Sequence, residues 1–155
     1  MPSKLIRLLI VDDHAIVRRG VKALLAQIDD MAVIGEASDG AEAITLASAL
    51  QPDVILMDLI LPNVGGIEAI RQISVRHPAI AILVLTSFAS DDKVFPAIKA
   101  GALGYMLKNA DLEELVTAIR QVHRGEPSLH PNIARKVLRE LRQPQAERIL
   151  LPEPL

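Results

Sequence analysis

Four short apolar runs in this chain each close on a polar residue, and that pattern suits a parallel sheet. Leu5 to Val11 ends on the pair Asp12-Asp13, and Val54-Ile55-Leu56-Met57 ends on Asp58. A third run closes at Thr86 and a fourth at Lys108. A strand covered on both faces reads as a continuous apolar run instead of an alternating one. Open parallel sheets bind their ligands at the carboxyl edge of the strands. The four run ends therefore predict one pocket that holds three carboxylates, a hydroxyl and an ammonium.

Between the runs lie segments of helical spacing. Strand-like stretches are expected at Leu5 to Val11, Ala32 to Ala37, the run ending at Asp58, Ala79 to Leu85 and Leu103 to Leu107. Helices are expected at His14 to Gln27, from Gly40 to Leu50, at Ile67 to Arg76, from about Asp91 to Ala100, and at Leu112 to His123. Asp13 is a candidate N-cap for the first helix, Asp39-Gly40 opens the second and Asp111 caps the fifth. His77-Pro78 stops the third, and Arg124-Gly125 closes the fifth. Five strand–helix units in alternation predict a doubly wound α/β domain with a parallel sheet.

Residues 126–155 differ from the rest. Pro131 to Arg142 reads as one amphipathic helix, with Ile133, Val137, Leu138 and Leu141 apolar and Arg135, Lys136, Arg139 and Arg142 basic. A single helix and a proline-rich end, Leu151-Pro152-Glu153-Pro154-Leu155, cannot build a second core. The expected organisation is a domain over 1–125 and a linker helix with a shortened connection over 126–155. The basic face is either a solvated face or a surface for DNA phosphates or a second copy.

Composition narrows the classes. With 155 residues and half of them apolar, one domain with an appendage is the simplest reading. The formal net charge of -2 gives nucleic acid no global attraction. The absence of cysteine excludes disulfides, cysteine-ligated zinc and thiol catalysis. Aromatics are limited to Phe88, Phe95 and Tyr105, too few for a base-stacking surface. The amino terminus shows no signal-peptide pattern and no stretch reaches bilayer length, so a cytoplasmic protein without a membrane partner is expected.

The chemistry of the run ends is that of phosphoryl transfer. Magnesium takes oxygen ligands and usually keeps several waters, which two or three carboxylates satisfy. Thr86 can donate to a phosphoryl oxygen and Lys108 can supply a point charge. Asp58 can then accept a phosphoryl group as an acyl phosphate. Taken singly, each residue has a plainer explanation. Asp12-Asp13 alone would be a capping pair, Asp58 and Thr86 strand-end residues, and Lys108 a solvated cation. Their joint placement at one sheet edge favours the site.

These stretches resemble the response-regulator receiver domain of two-component systems. The resemblance rests on Leu8-Leu9-Ile10-Val11-Asp12-Asp13-His14, Pro52 to Leu59, Leu61-Pro62, Gly65-Gly66, Leu85-Thr86-Ser87 and Ala100 to Lys108, and it covers residues 5 to about 125. It implies a flavodoxin-like, CheY-like fold with five strands in the order 2-1-3-4-5. It implies Asp58 as phosphoacceptor, with Mg²⁺ held by Asp12, Asp13, Asp58 and the Ile60 backbone carbonyl. Thr86 and Lys108 would contact the phosphoryl group. Thr86 and Tyr105 would form a switch acting on the surface of the fourth helix, fifth strand and fifth helix. On residue pattern alone, Tyr105 would be a packing aromatic.

Ala89 to Asp92, Gly101 to Lys108 and Leu115 to Gly125, with the helix near Pro131, resemble the NarL/FixJ group. That group joins its receiver to a carboxy-terminal LuxR-type helix-turn-helix, absent from these residues. The resemblance implies a signalling phosphoacceptor and not an enzyme on other substrates. Its partners would be a sensor histidine kinase, a second copy on phosphorylation, and DNA through the missing domain. A stand-alone adaptor or phosphorelay receiver is the alternative. An aspartate-nucleophile phosphatase would want an acid where Ile60 stands, and a dinucleotide enzyme would want glycines where Asp12-Asp13-His14-Ala15 stands.

Several departures carry expectations of their own. Asn109 follows Lys108 where many receivers have proline, so a trans peptide is expected there. Pro96 falls inside the fourth helix, which is expected to be short, kinked or displaced. Apolar Ile60 and Phe88 beside the phosphoryl position predict slow self-hydrolysis. His14, His77, His123 and His130 show no metal-ligand spacing and receive no function.

Overall fold

The structure, a computed structural model, describes residues 5–87 and 91–142. Strands and helices alternate throughout: β1 Ile6–Val11, α1 Ala15–Leu25, β2 Met31–Ala37, α2 Gly40–Leu50, β3 Val54–Met57 and α3 Gly66–Arg76. They continue with β4 Ala81–Thr86, α4 Asp91–Ala100, β5 Gly104–Leu107, α5 Leu112–His123, β6 Ser128–Leu129 and α6 Pro131–Leu141. All strand pairs are parallel, in the order β2-β1-β3-β4-β5-β6.

The apolar runs became central strands because both faces are covered. Leu8, Ile10, Val54, Leu56, Leu83 and Leu85 point into one core with Leu25 of α1 and Leu115 and Ile119 of α5. Leu9, Val11, Ile55, Met57, Ile82 and Val84 point into the other, with Ala43, Ile70, Val94 and Ala97 from α2, α3 and α4. Successive strand residues alternate between the two cores, so polar side chains stand only at strand ends, as Arg7 does near the start of β1.

The expected five-stranded sheet is corrected to six strands. After α5, Gly125 takes φ 82°, a left-handed conformation that suits glycine, and the chain turns back to the sheet. Gly104 pairs with Ser128 and Tyr105 with Leu129. A Cβ at Gly104 would stand 3.0 Å from the Ser128 carbonyl oxygen, so the missing side chain allows this close approach. Two residues make too short a run to be read as a strand from sequence.

The linker helix is packed on the domain. Ile133 of α6 is 1% exposed and belongs to the same core as Tyr105, Val94 and Ala97, with Leu129 and Val137 packed against it. The helix therefore adds apolar surface to a core that already exists. Leu138, Leu141, Arg135, Arg139 and Arg142 remain exposed on it.

The backbone bears on four local expectations. α4 runs through Pro96 and is ten residues long, against eleven in α3, so the proline does not shorten it. Pro96 lies one turn in, where the lost bond would have gone to the carbonyl of Asp92. Asp13 does not cap α1; the N-cap is His14, which makes no side-chain capping bond. The Asp12 carboxylate instead accepts the His14 N–H at 2.8 Å. Among the described residues there is no cis peptide, so Lys108–Asn109 is trans. Asp111 caps α5 as expected, through a reciprocal pair with Glu114. No described helix is long and apolar enough to cross a membrane.

Candidate functional site

Parallel pairing sets the four run ends side by side. Val11 pairs with Met57, Met57 with Val84, and Thr86 with Leu107. Asp12, Asp58 and Lys108 are the next residues after β1, β3 and β5, and Thr86 is the last of β4. Backbone bonds fix these ends: Asp58 N–H to the Val11 carbonyl at 2.9 Å, and Lys108 N–H to the Thr86 carbonyl at 2.8 Å. Asp12, Asp58 and Thr86 are buried, at 3%, 4% and 1% exposure, while Asp13 stands at the open rim.

Lys108 neutralises the two buried carboxylates. Its Nζ lies 2.5 Å from Asp12 Oδ2 and 3.2 Å from Asp58 Oδ2. Burial pushes the Asp58 carboxyl above its usual range; the Lys108 charge opposes that shift and the Asp12 charge adds to it. Burial also disfavours the Lys108 ammonium, but the hydrogen bond it donates to Asp12 and the charges of Asp58 and Asp12 outweigh it and raise Lys108.

Carboxylate oxygens of Asp12, Asp13 and Asp58, together with a ring nitrogen of His14, lie within 4.8 Å of one another. Three carboxylates at that spacing fit a hard divalent cation with oxygen ligands, and the imidazole is the ligand such a cation wants least. His14 has a different role here. Its Nδ1 lies 3.1 Å from both Asp12 Oδ1 and Asp13 Oδ1. Ile60 follows in the loop, its N–H donating to Asp58 Oδ1 at 3.3 Å and its side chain exposed. Phe88 lies outside the described residues.

Tyr105 is fully buried in the core that holds Ile133. It pairs with Val84 of β4 on one side and Leu129 of β6 on the other. Sequence reasoning missed three neighbours of the site. His14 could have been suspected from its position directly after the aspartate pair. Arg18, one turn further, binds the Asp12 carbonyl through Nη1 at 2.6 Å and Glu36 through Nε at 3.1 Å. No linear signal marks that pairing, because Glu36 belongs to β2. Ile133 lay in a segment read as linker.

Gly66 holds the loop after Asp58 close to the sheet. Its N–H donates to the Leu59 carbonyl at 3.1 Å. A Cβ there would stand 2.5 Å from the Asp58 carbonyl oxygen and 2.6 Å from Leu59 Cα, both backbone atoms. Gly66→Ala is expected to destabilise by about 1–3 kcal/mol and to displace the Asp58 backbone. Gly65→Ala meets nothing within 4 Å and is the matched control, expected to be near neutral. Urea unfolding of the two variants checks this.

The six-stranded parallel sheet and its acidic edge pocket define a receiver-type α/β domain. The chain belongs to the response regulator receiver domain family, which it matches over residues 8–120, and it is of the LuxR/NarL type. It is 51% identical over 138 residues to the transcriptional regulatory protein LiaR of Bacillus subtilis (strain 168), covering 89% of this chain and 65% of that protein. It is 39% identical over 138 residues to the response regulator protein VraR of Staphylococcus aureus, covering 89% and 66%. The crystal structure of a LuxR-family two-component response regulator from Aurantimonas sp. SI85-9A1 superposes with a TM-score of 0.82. That chain is 40% identical, and the match covers 90% of this chain and 99% of that one. The chain thus spans just under two thirds of the length of the curated relatives it matches.

Proposed function

We propose that Asp58 accepts a phosphoryl group from the phosphohistidine of a sensor histidine kinase in a Mg²⁺-dependent step. The observation that carries this reading is the buried Asp58 carboxylate, held beside Asp12 with Lys108 Nζ 3.2 Å away. An oxygen of Asp58 forms the new P–O bond as the donor's P–N bond breaks, and the imidazole leaves with the electron pair. Asp12, Asp13, Asp58 and the Ile60 carbonyl would hold Mg²⁺, which when bound would supply charge neutralisation at the transferred group. Lys108 shifts its ammonium from the free carboxylates to the transferred group, and Thr86 donates its hydroxyl to a phosphoryl oxygen.

Thr86 and Tyr105 then bias the surface of α4, β5 and α5. Burial of Tyr105 against the strand that begins residues 126–155 supports a route from the pocket to that segment. In this reading residues 1–125 form the receiver and 126–155 lead to an output domain. The protein works in the cytoplasm, forms a homodimer on phosphorylation and controls transcription through a helix-turn-helix. The similarity to LiaR, a transcriptional regulatory protein, and to VraR, a response regulator, supports the output reading.

The test is intact mass after incubation with a small acyl-phosphate donor, with and without Mg²⁺. A single metal-dependent phosphoryl addition, lost in Asp58→Asn, is expected. Addition that persists in Asp58→Asn would move the acceptor elsewhere.

A further inference from the structure

The turn from β2 into α2 touches both the Asp12 strand end and the loop that follows Asp58. On one side the Ala37 carbonyl accepts the Asp12 N–H at 3.0 Å. On the other, Asp39 Oδ2 accepts a hydrogen bond from Asn63 Nδ2 at 3.0 Å, while Oδ1 accepts the Glu42 N–H at 2.7 Å. The next residue, Gly40, lies so close under the loop that a Cβ there would stand 2.0 Å from the Val64 carbonyl oxygen. The Asp58 N–H bond to Val11 closes the circuit. Residues 37–40 thus tie the strand end of Asp12 to the loop that follows Asp58.

Asn63 sits at φ 63°, a left-handed conformation that asparagine adopts more readily than most residues. One carboxylate, Asp39, therefore does two things: it caps α2 and holds the bend of the loop.

We propose that Asp39 and Asn63 are positioning residues for the divalent cation, bracing the Ile60-bearing loop against the Asp12 strand end. The proposal rests on the reading of the pocket as a Mg²⁺ site. Neither side chain belongs to the ligand set; both act through the loop backbone. Without the brace the loop samples more conformations, and the cation must order it on binding. Affinity falls by that ordering cost, as it does when outer-shell partners of metal ligands are removed.

Two substitutions separate bracing from general stability. Asp39→Ser keeps a capping hydroxyl for α2 but cannot at the same time reach Asn63. Asn63→Gly keeps the left-handed backbone accessible and removes the side chain that carries the amide. Mg²⁺ is titrated into the full chain without any phosphoryl donor, and binding is read from backbone amide shifts.

Each variant is expected to raise the Mg²⁺ Kd by roughly threefold to tenfold. The double variant should go no further than the larger single, because both remove one interaction. Gln72→Ala, which deletes a hydrogen bond to Glu68 on α3, should leave the Kd unchanged. A Kd within about twofold of wild type in either single variant would overturn the brace, as would effects that multiply in the double. No saturable shift in the wild type would instead overturn the metal reading, and the brace with it.

Discussion

Lys108→Met is expected to destabilise the protein in chelator by about 3 kcal/mol, the lower end of the cost of removing one partner of a buried ion pair. Lys108 is the cation between two carboxylates whose side chains are only 4% and 5% exposed, and it is itself 18% exposed. Methionine keeps the length and the apolar stem but leaves Asp12 and Asp58 facing each other. Mg²⁺ should restore part of the loss, because a cation held by the proposed site in the folded pocket would supply the missing charge. Urea unfolding with chelator and with Mg²⁺ measures both. Equal stability of variant and wild type in chelator would refute this account of the pocket.

The pH dependence has a definite sign. Asp58 is raised in the folded state, so folded protein binds more protons than unfolded protein between the two pKa values. Stability from this group is therefore lost as pH rises through that window. Lys108 holds Asp58 down, so its removal widens the window toward higher pH.

Ile133→Ala is expected to cost about 2–4 kcal/mol, the usual loss for truncating a fully buried isoleucine. Ile133 is 1% exposed in the Tyr105 core, whereas Leu138 on the same helix is 52% exposed. Leu138→Ala should stay within about 0.5 kcal/mol of wild type. If the helix were only a tether, both substitutions would be equally mild. The contrast in urea midpoints therefore tests whether α6 is part of the folded unit.

The site was legible for a simple reason. A parallel strand covered on both faces must be apolar until it reaches the edge, so the first polar residue after each run marks the edge. Asp12, Asp58 and Lys108 are those residues, and Thr86 ends its run. Caps were legible where a side chain bonds within its own turn, as at Asp39 and Asp111. The same rule failed at Asp13, because Asp12 turns its own carboxylate onto the His14 N–H. Nothing local distinguishes those two aspartates.

What sequence alone determined is the five strand–helix units, the helix after them and the sheet edge that carries the acidic pocket, since burial period and caps are local properties. Tertiary structure decided the rest. It added β6, which depends on Gly104 meeting Ser128, and it buried α6 on the Tyr105 core. It also linked Arg18 to Glu36 and Asp39 to Asn63. Each of these pairs residues distant in the chain, and only the packing of helices on the sheet brings such partners within reach of one another.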